Sequence, residues 1–523
     1  MMSARRLTRR SLLASTAGAL AGGMVRPGGV LAALAGPPPP VLEERWLGRL
    51  GPAEETVRLR RMADLVGVEW QTPAVAAVEL RFRDADGSWS EWVSAGDHGH
   101  GPQAPLAEGG HVGDPVWTGG TTAVQVRAGR TLSGVRLHLV DVSGGVGARR
   151  QAGAIASTAG PALATPVLAA GAGQPPIIAR RAWAQGISPP TMAPDYGGVR
   201  MGFVHHTDNP NGYGAAEVPA MLRAIYAFHR YVNGWNDIGY NFVIDSYGRI
   251  FEARAGGIDE PVVGAHAGGY NLVSSGVAVL GTFTGVPISP AARSALEELL
   301  AWKLSLHGVP AQGRVVVKVN PAGASYSKYP GDARVSLPRI AGHRDADTTD
   351  CPGNVLYGEL PAIRAGVQRL APRPTRATLA LVAPAVVPGA PTTPEPGGAA
   401  GTGSAPTSQV QVLSGSLELL DGVGGVPIQG APILIQERTV SRRGEVVNEQ
   451  TLAETTTDSA GTWALDATPV SPARGGIWLR ALCPGGPGFG AGVSDPLHLA
   501  ASVSLTAPQA PPPASPPATA PAA

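Results

Sequence analysis

After residue 40 the first part of the chain consists of short runs in which apolar and polar residues alternate. Turn pairs such as Asp86-Gly87 and Gly119-Gly120 separate these runs. Alternation with a period of two is typical of strands with one buried face, so residues 41–145 are predicted to form an N-terminal β-sandwich module. Five of the ten Trp fall in this module, where they either pack in the core or stack on sugar rings. The clearest alternating runs are 66–70, 78–82, 124–127 and 135–140.

From about residue 175 the apolar positions recur every three or four residues, which is the period of amphipathic helices. Short apolar runs typical of strands lie between the helical stretches. Two of these runs are joined at Ser246-Tyr247-Gly248, a hairpin signal. Residues 175–371 are therefore predicted to form an α/β domain, a mixed sheet covered by helices. The predicted helices are 215–232, 290–307 and 356–370, and the predicted strands are 199–206, 240–245, 249–253 and 276–282.

A second alternating region, 409–506, predicts a C-terminal β module of an immunoglobulin-like or prealbumin-like kind. Stretches 146–174 and 372–408 are rich in Ala, Gly, Pro and Thr, and they are predicted to be linkers because such segments bury too little apolar surface to order. The tail 507–523 has the same character. The expected fold class is a central α/β domain, with a mixed β-sheet and flanking helices, between two all-β sandwich-like modules. Since both flanks of the central domain are rich in Pro and Gly, we expect this domain to fold on its own.

The first 35 residues have the features of a removable export signal. They contain five Arg and no acidic residue, and an apolar run rich in Ala and Gly follows Arg9-Arg10. Residues 33–35 match the small-residue pattern of a cleavage site. The string around Arg9-Arg10 resembles the twin-arginine export motif. We therefore expect residues 1–35 to be a twin-arginine signal peptide and the protein to be secreted or held in the cell envelope. The alternatives are a disordered basic N-terminus and an uncleaved signal anchor.

The charge balance argues against a nucleic-acid-binding surface. Of the 523 residues 41 are basic and 39 are acidic, and removing the five leader Arg leaves 36 basic side chains and a net charge of −3. Two Cys are too few for a disulfide scaffold. Outside the leader no apolar stretch reaches the ~18 residues that a membrane span needs. We expect a monomer that binds no nucleic acid and has no transmembrane segment once the signal is removed.

Histidines and one cysteine of the central domain supply candidate chemistry. His205 and His206 end an apolar strand, while His343 and Cys351 lie eight positions apart further along the chain. Two His and one Cys suffice for an open zinc site, with water in the fourth tetrahedral position. Thiolate and imidazole suit zinc better than calcium or magnesium. The alternative is a set of hydrogen-bonded histidines on a buried sheet beside a cysteine without a special role.

A series of motifs in one order strengthens the metal hypothesis. The motifs are Arg180-Arg181-Ala182-Trp183, Val204-His205-His206-Thr207, Asp237-Ile238-Gly239-Tyr240-Asn241-Phe242, Asp245-Ser246-Tyr247-Gly248, Gly264-Ala265-His266-Ala267-Gly268-Gly269-Tyr270-Asn271 and His343 through Cys351-Pro352-Gly353. Together they resemble the zinc-dependent N-acetylmuramoyl-L-alanine amidase family of the phage-lysozyme type, which includes the peptidoglycan recognition proteins. The resemblance covers about residues 176–371 and does not extend to the β modules.

The resemblance implies a role for each matching residue of the centre. His205, His343 and Cys351 correspond to the family's three Zn²⁺ ligands. Tyr240 takes the place of the catalytic tyrosine, which donates a hydrogen bond to the oxyanion or relays a proton. Thr349 stands where some members have a catalytic Lys, and since it carries no charge, the proton-transfer role of that Lys does not carry over.

The resemblance also implies substrate contacts. His206 is expected to face the substrate or support a ligand, and His266, Arg254 and Asn271 are expected to line the substrate groove. The string that begins at Arg254 lacks the Trp that animal members have there, so a preference for diaminopimelate or Lys stems does not transfer. The insert 308–338 has no counterpart in the compact phage enzyme, and it forms either a groove wall or a surface loop.

The family resemblance implies a secreted zinc amidase whose partner is peptidoglycan. Its reaction is hydrolysis of the amide between N-acetylmuramic acid and L-alanine, which releases a stem peptide with a free amine. The principal alternative is a non-catalytic peptidoglycan-binding recognition protein on the same fold. A metal-dependent peptidase that cuts within the stem is a third possibility. Neither the stem preference nor the physiological role follows from the sequence.

Overall fold

The computed structural model describes residues 37–72, 76–84, 86–96, 110–143, 173–371, 373–382, 411–420, 424–441 and 446–507. The predicted leader lies outside these residues, as do most of both predicted linkers and nearly all of the tail. The described residues from Pro38 onward belong to one compact unit. Among the described helices none is long and apolar enough to cross a membrane.

The N-terminal module is an antiparallel sheet, as the alternating pattern predicted. Its strands are β1 (Val41–Leu50), β2 (Glu55–Trp70), β3 (Val78–Phe82), β4 (Val93–Ser94), β5 (His111–Val112), β6 (Val116–Ala128) and β7 (Leu132–Asp141). They are ordered β1-β7-β2-β6-β3-β4, and β5 pairs with β2. Of the Trp residues in question, Trp70 and Trp117 are buried in the core. Trp92 lies under two guanidinium groups, those of Arg81 and Arg127, at 4.7 and 4.0 Å from the ring centroid.

The central domain has a mixed six-stranded sheet. Its strands are β8 (Ile177–Ile178), β9 (Met201–His206), β10 (Phe242–Ile244), β11 (Ile250–Glu252), β12 (Ser274–Val279) and β15 (Ile340–Gly342). They are ordered β15-β9-β12-β10-β11-β8 across the sheet. Strands β15, β9, β12 and β10 run parallel to one another, β10 and β11 form the predicted antiparallel hairpin, and β8 runs parallel to β11. A separate antiparallel hairpin, β13 (Arg314–Lys318) and β14 (Arg334–Pro338), lies within the insert 308–338.

Three α-helices cover this sheet, each within a few residues of its prediction. They are α1 (Val218–Tyr231), α2 (Pro290–Leu306) and α3 (Asn354–Leu370). Helix α2 starts cleanly because the Ser289 side chain accepts a hydrogen bond from Ala292 N, and Pro290 occupies the first turn, where a missing N–H costs nothing. The apolar faces of α2 and α3 share one core with the sheet, and α1 packs in a second core.

The C-terminal module is also an antiparallel sheet, and it begins earlier than predicted. Its strands are β16 (Thr375–Ala377), β17 (Ala380–Val382), β18 (Gln411–Leu420), β19 (Gly425–Pro427), β20 (Pro432–Val440), β21 (Val446–Thr456), β22 (Thr462–Cys483), β23 (Gly492–Val493) and β24 (Leu497–Thr506). Strands β16 and β17 fall inside the predicted linker 372–408, and both pair with β18. Thr375 and Ala377 are buried while Arg376 is exposed, a short alternation that the linker's overall composition hides.

Both β modules share cores with the central domain. Leu65 and Trp117 of the N-terminal module belong to the same apolar cluster as α1. The absence of a side chain at Gly67 allows this packing, because a Cβ there would lie 2.2 Å from Phe228 Cε2. On the other side, Leu482 of the C-terminal module belongs to the cluster formed by α2 and α3. The metal-ligand candidates therefore lie in a domain with modules packed on two sides.

Candidate metal centre

Three side chains predicted as ligands meet at one end of the central sheet. His205 is near the end of β9, which lies between β12 and β15. Because Gly342 of β15 is opposite Val204 of β9, the next residue, His343, comes to lie beside His205. Cys351 reaches the same point from the loop before α3, with its Sγ 3.7 Å from His205 Nδ1. The donor atoms of the three residues lie within 4.8 Å of one another, and all three residues are fully buried.

Each imidazole is oriented by a hydrogen bond at its Nε2. His343 Nε2 lies 2.9 Å from Asp347 Oδ2, and this oxygen also accepts a hydrogen bond from Gly268 N at 2.8 Å. His205 Nε2 lies 3.1 Å from His266 Nδ1. Both ligand candidates therefore present Nδ1 to the centre. A partner behind the ligating imidazole fixes the tautomer, and a carboxylate partner also raises its basicity.

The donor set fits zinc. Zinc bonds of about 2.0–2.3 Å place tetrahedral ligands about 3.5 Å apart, close to the separation of Cys351 Sγ and His205 Nδ1. The backbone N–H of His206 points at Cys351 Sγ over 3.4 Å and favours a thiolate there. Asp347 Oδ1 is buried and accepts no hydrogen bond from the described residues. A buried carboxylate of this kind is stabilised when its His partner binds a cation.

Tyr240, the predicted catalytic residue, lies against this cluster. Its ring centroid is 5.5 Å from that of His205, and the side chain is almost completely buried. Burial raises the pKa of Tyr240 well above its usual value, and the negative charge of Asp114 raises it further. The phenol is therefore protonated at neutral pH and can act as a hydrogen-bond donor. Thr349, the second predicted catalytic residue, is half-buried, and its Oγ1 accepts a hydrogen bond from Cys351 N at 3.0 Å.

The two remaining histidines differ in position. His206 is buried, its ring nitrogens have no hydrogen-bond partner among the described residues, and Nδ1 lies 3.9 Å from Asp208 Oδ1. It adjoins the centre through its backbone rather than its ring. His266 was expected to line the groove. It is 2% exposed and bonded to His205, so in this structure it supports a ligand instead of forming a groove wall.

Arg254 and Asn271 do line a cleft, with a volume of about 440 Å³. Arg254 donates from Nη1 to Ile238 O at 2.9 Å, and burial lowers its pKa. Asn271 Oδ1 accepts hydrogen bonds from His266 N and Ala267 N, so it fixes the loop that supports His205. The insert contributes to this cleft. Its lining residues from the insert are Asn320, Ala322 and Gly323.

Two residues near the centre were not identified from the sequence. Asp347 is four positions after His343, a spacing that indicates a possible contact between the two side chains. Asp114 belongs to the connection between β5 and β6 of the N-terminal module, and its charge acts on Tyr240. The same module is hydrogen-bonded to the loop after β9, because Trp117 N donates to Asn209 Oδ1 in a buried hydrogen bond of 2.7 Å. No local pattern connects these two segments, because they are far apart in the chain.

Comparison with known proteins identifies two regions. Residues 195–354 match the family described as N-acetylmuramoyl-L-alanine amidase. Residues 39–162 match the family described as Rv3811 N-terminal galactose-binding domain-like. Peptidoglycan-recognition protein SC2 of Drosophila simulans is 30% identical over 157 residues, which make up 30% of this chain and 70% of the relative. The N-acetylmuramoyl-L-alanine amidase of Homo sapiens is 30% identical over 209 residues, 39% of this chain and 31% of that protein.

Solved structures also match part of the chain. Drosophila PGRP-LB is 25% identical, over 36% of this chain and 92% of its own, with a TM-score of 0.28. The endolysin N-acetylmuramoyl-L-alanine amidase LysCS of Clostridium intestinale is 22% identical, over 37% of this chain and 97% of its own, with a TM-score of 0.26. As the ordered motifs predicted, the chain belongs to the N-acetylmuramoyl-L-alanine amidase family that includes the peptidoglycan recognition proteins.

Proposed function

We propose that this protein is a zinc-dependent amidase that hydrolyses the bond between N-acetylmuramic acid and L-alanine in peptidoglycan. The observation that carries the proposal is the buried cluster of His205, His343 and Cys351, with Asp347 bonded behind His343. Three protein ligands leave one position of a tetrahedral ion open, which is the arrangement of catalytic rather than structural zinc. A receptor has no need of a complete ligand set.

Zinc bound here supplies a Lewis acid for the scissile carbonyl and lowers the pKa of a water to about 7. The chain's own residues account for the rest of the chemistry. Tyr240 keeps its proton and donates a hydrogen bond to the oxygen on which negative charge develops. Thr349 holds the backbone of Cys351, and this contact supports a positioning role for its hydroxyl.

The cleft is lined by Ala265 and Asn271, which flank the His205-bonded His266, and it provides a place for the stem peptide. Arg254 lies on its wall; burial lowers its pKa, and the charges of Asp237 and Asp195 partly offset this effect. A guanidinium on the cleft wall can form paired hydrogen bonds to a substrate carboxylate. Asn271 and the insert residues Asn320 and Gly323 add backbone and amide groups. Since peptidoglycan lies outside the cytoplasmic membrane, the proposed activity also requires export, which the leader's twin-arginine string supports.

Cys351→Ser tests the proposal, with Cys483→Ser as the matched control. Both Cys are buried and neither forms a disulfide, but Cys483 lies in the C-terminal module. Zinc content by atomic spectroscopy and release of free L-alanine amines from muropeptide are measured on the same preparations. We expect Cys351→Ser to lose most of both and Cys483→Ser to retain both, because a Ser hydroxyl is a poor ligand at pH 7.

Other outcomes would favour the alternatives. Stoichiometric zinc in the wild-type protein without amine release, but with retained binding to peptidoglycan, would identify a recognition protein. Cleavage at another amide, found by mass spectrometry of the products, would identify a peptidase. Full activity in Cys351→Ser would show that the cluster is not the metal site.

A further inference from the structure

A buried cluster of charges joins the C-terminal module to the central domain. Arg438 donates to Asp259 at 2.9 and 3.0 Å and to Glu260 at 2.6 Å. Arg480 donates to the same two carboxylates at 2.6 and 3.0 Å. Glu449 receives a hydrogen bond from each Arg, at 2.6 and 3.4 Å. Two cations from one module and two anions from the other therefore meet away from solvent.

The charged side chains in this cluster are shielded from water to an unusual degree. The side chain of Arg480 is 2% exposed and that of Arg438 is 10% exposed, while both Asp259 and Glu260 are at 4%. Burial alone would raise the pKa of Asp259, yet Arg480 and Arg438 hold it well below its usual range. Removing one partner of such a pair leaves a buried charge without compensation. The loop that carries Asp259 and Glu260 is consequently bound to the C-terminal module.

That loop is also a wall of the cleft. Residues 254–263 begin with Arg254 and end with Val263, and both of these residues line the 440 Å³ cleft. Between them the loop is tied to the neighbouring segment, where Tyr196 OH donates to Gly256 O at 3.0 Å. The ring of Tyr196 packs edge-on against Trp478 of the C-terminal module, with centroids 5.2 Å apart. The C-terminal module therefore contacts the back of the wall whose front faces the cleft.

Lys303 binds the same loop from inside the central domain. Its Nζ donates to the carbonyls of Ile258 and Glu260 at 2.8 and 2.7 Å. These bonds fix the main chain of the loop to the central domain. Arg438 and Arg480 fix the carboxylate side chains of the loop to the C-terminal module. A loop fixed at both sets of groups has little freedom to change the position of Arg254.

We propose that Arg438 and Arg480 are positioning residues for substrate binding, and that the C-terminal module supports the wall of the binding cleft rather than acting as a separate targeting unit. This inference rests on the proposed function for the identity of the substrate. The two Arg touch neither the cleft surface nor the metal centre. They fix loop 254–263, and the loop in turn fixes the cleft wall.

The test compares Arg438→Met with Arg200→Met in the full chain. Arg200 also forms an ion pair across the same boundary, with Asp495 at 2.8 Å, but its side chain is 51% exposed and does not touch the loop. We expect Arg438→Met to raise KM for soluble muropeptide on the order of tenfold, a size typical of residues that couple to a site without touching the ligand. We expect kcat and zinc content to remain close to wild type. Arg200→Met should leave all three unchanged.

Hydrogen exchange gives a readout that does not depend on activity. Backbone amides of residues 254–263 should exchange faster in Arg438→Met than in wild type, and the rest of the central domain should not change. The exchange rate of these amides in Arg438→Lys should lie between the rates in Arg438→Met and wild type. The Lys ammonium keeps the attraction to the carboxylates but loses the paired hydrogen bonds of the guanidinium. If Arg438→Met does not fold, Arg438→Lys carries the same comparison.

Several results would overturn the inference. Unchanged exchange in the loop together with unchanged KM would show that the module does not position the cleft wall. An equal effect of Arg200→Met, or a loss of kcat and zinc at constant KM, would point to general destabilisation. If the wild-type protein releases no amines, the Kd for muropeptide replaces KM, so that a failure of the proposed activity remains distinct from a failure of the positioning role.

Discussion

Asp347→Asn separates the charge behind the metal ligand from its hydrogen bonds. A single oxygen, Oδ2, accepts from both His343 Nε2 and Gly268 N, whereas Oδ1 is buried and accepts no bond from the described residues. An Asn can therefore place its carbonyl oxygen in the Oδ2 position and keep both bonds. Its amide group then replaces an oxygen that was itself unsatisfied. Only the negative charge is lost.

The expected magnitude follows from this geometry. Loss of a partner behind a metal-bound His typically costs on the order of 10- to 100-fold in metal affinity, which is about 1.4–2.7 kcal/mol. Asp347→Asn should fall at the lower end, because only the charge that strengthens the imidazole as a ligand is removed. Asp347→Ala should fall at the upper end, because His343 also loses the group that orients it.

Zinc affinity is measured by competition with a chromophoric chelator at pH 7.5, with Asp345→Asn as the control. Asp345 lies on the same turn, but its oxygens accept from Gly342 N and Tyr357 OH and touch neither imidazole. We expect the affinity order wild type, Asp345→Asn, Asp347→Asn, Asp347→Ala, with the first two nearly equal. Equal affinities for Asp347→Ala and wild type would refute the support role. A loss in Asp345→Asn as large as that in Asp347→Asn would show that the turn, not the charge, is responsible.

Four further predictions use other parts of the chain. Tyr240→Phe should reduce turnover on the order of 10²- to 10³-fold with zinc content intact, since one oxyanion donor is removed; near-normal turnover would assign that donor elsewhere. Burial lowers the pKa of Lys303 from 10.5 to about 7, so the unfolded chain binds more protons than the folded one between these values. The free energy of unfolding should therefore rise with pH in this window, by at most about 1.4 kcal/mol per unit, and urea titrations of Lys303→Met should show a shallower rise. Arg9→Lys with Arg10→Lys should leave precursor inside the cell on immunoblots of cell fractions, because the export receptor distinguishes Arg from Lys; normal secretion would indicate the general pathway. The fragment 173–371 should be less stable in urea than the full chain, because both modules share cores with it.

The parts of the fold that depend on local pattern were predicted from the sequence. Helices α1, α2 and α3 lie within three residues of their expected bounds at every end, and the hairpin of β10 and β11 turns where expected. Amphipathic spacing and turn residues are local properties, so a single sequence contains them. Strands β16 and β17 were missed for a related reason. Two runs of three residues are too short to stand out from a stretch rich in Pro, Thr and Ala.

The centre was predicted through its motifs and only in part through its geometry. His205, His343 and Cys351 do meet, and Arg254 and Asn271 do line a cleft. His266 was expected on the groove wall, whereas in the structure it is buried and bonded to His205, because a motif gives the order of residues but not the direction of a side chain. Residues such as Asp114 and Arg438 have no motif at all. Their roles depend on contacts between segments that the chain brings together only in the folded state.

The Pro- and Gly-rich flanks suggested that the central domain is an independent catalytic unit. The packing between modules argues against this interpretation. An independent domain would present polar, hydrated groups at both boundaries. Instead, the ring of Phe228 fills the space left by Gly67, and Asp259 is buried against two Arg of the C-terminal module. Isolating the domain would expose the apolar surface around Phe228 to water and remove both Arg partners of Asp259. The number of folding units therefore depends on what the modules bury against each other, and linker composition does not show this.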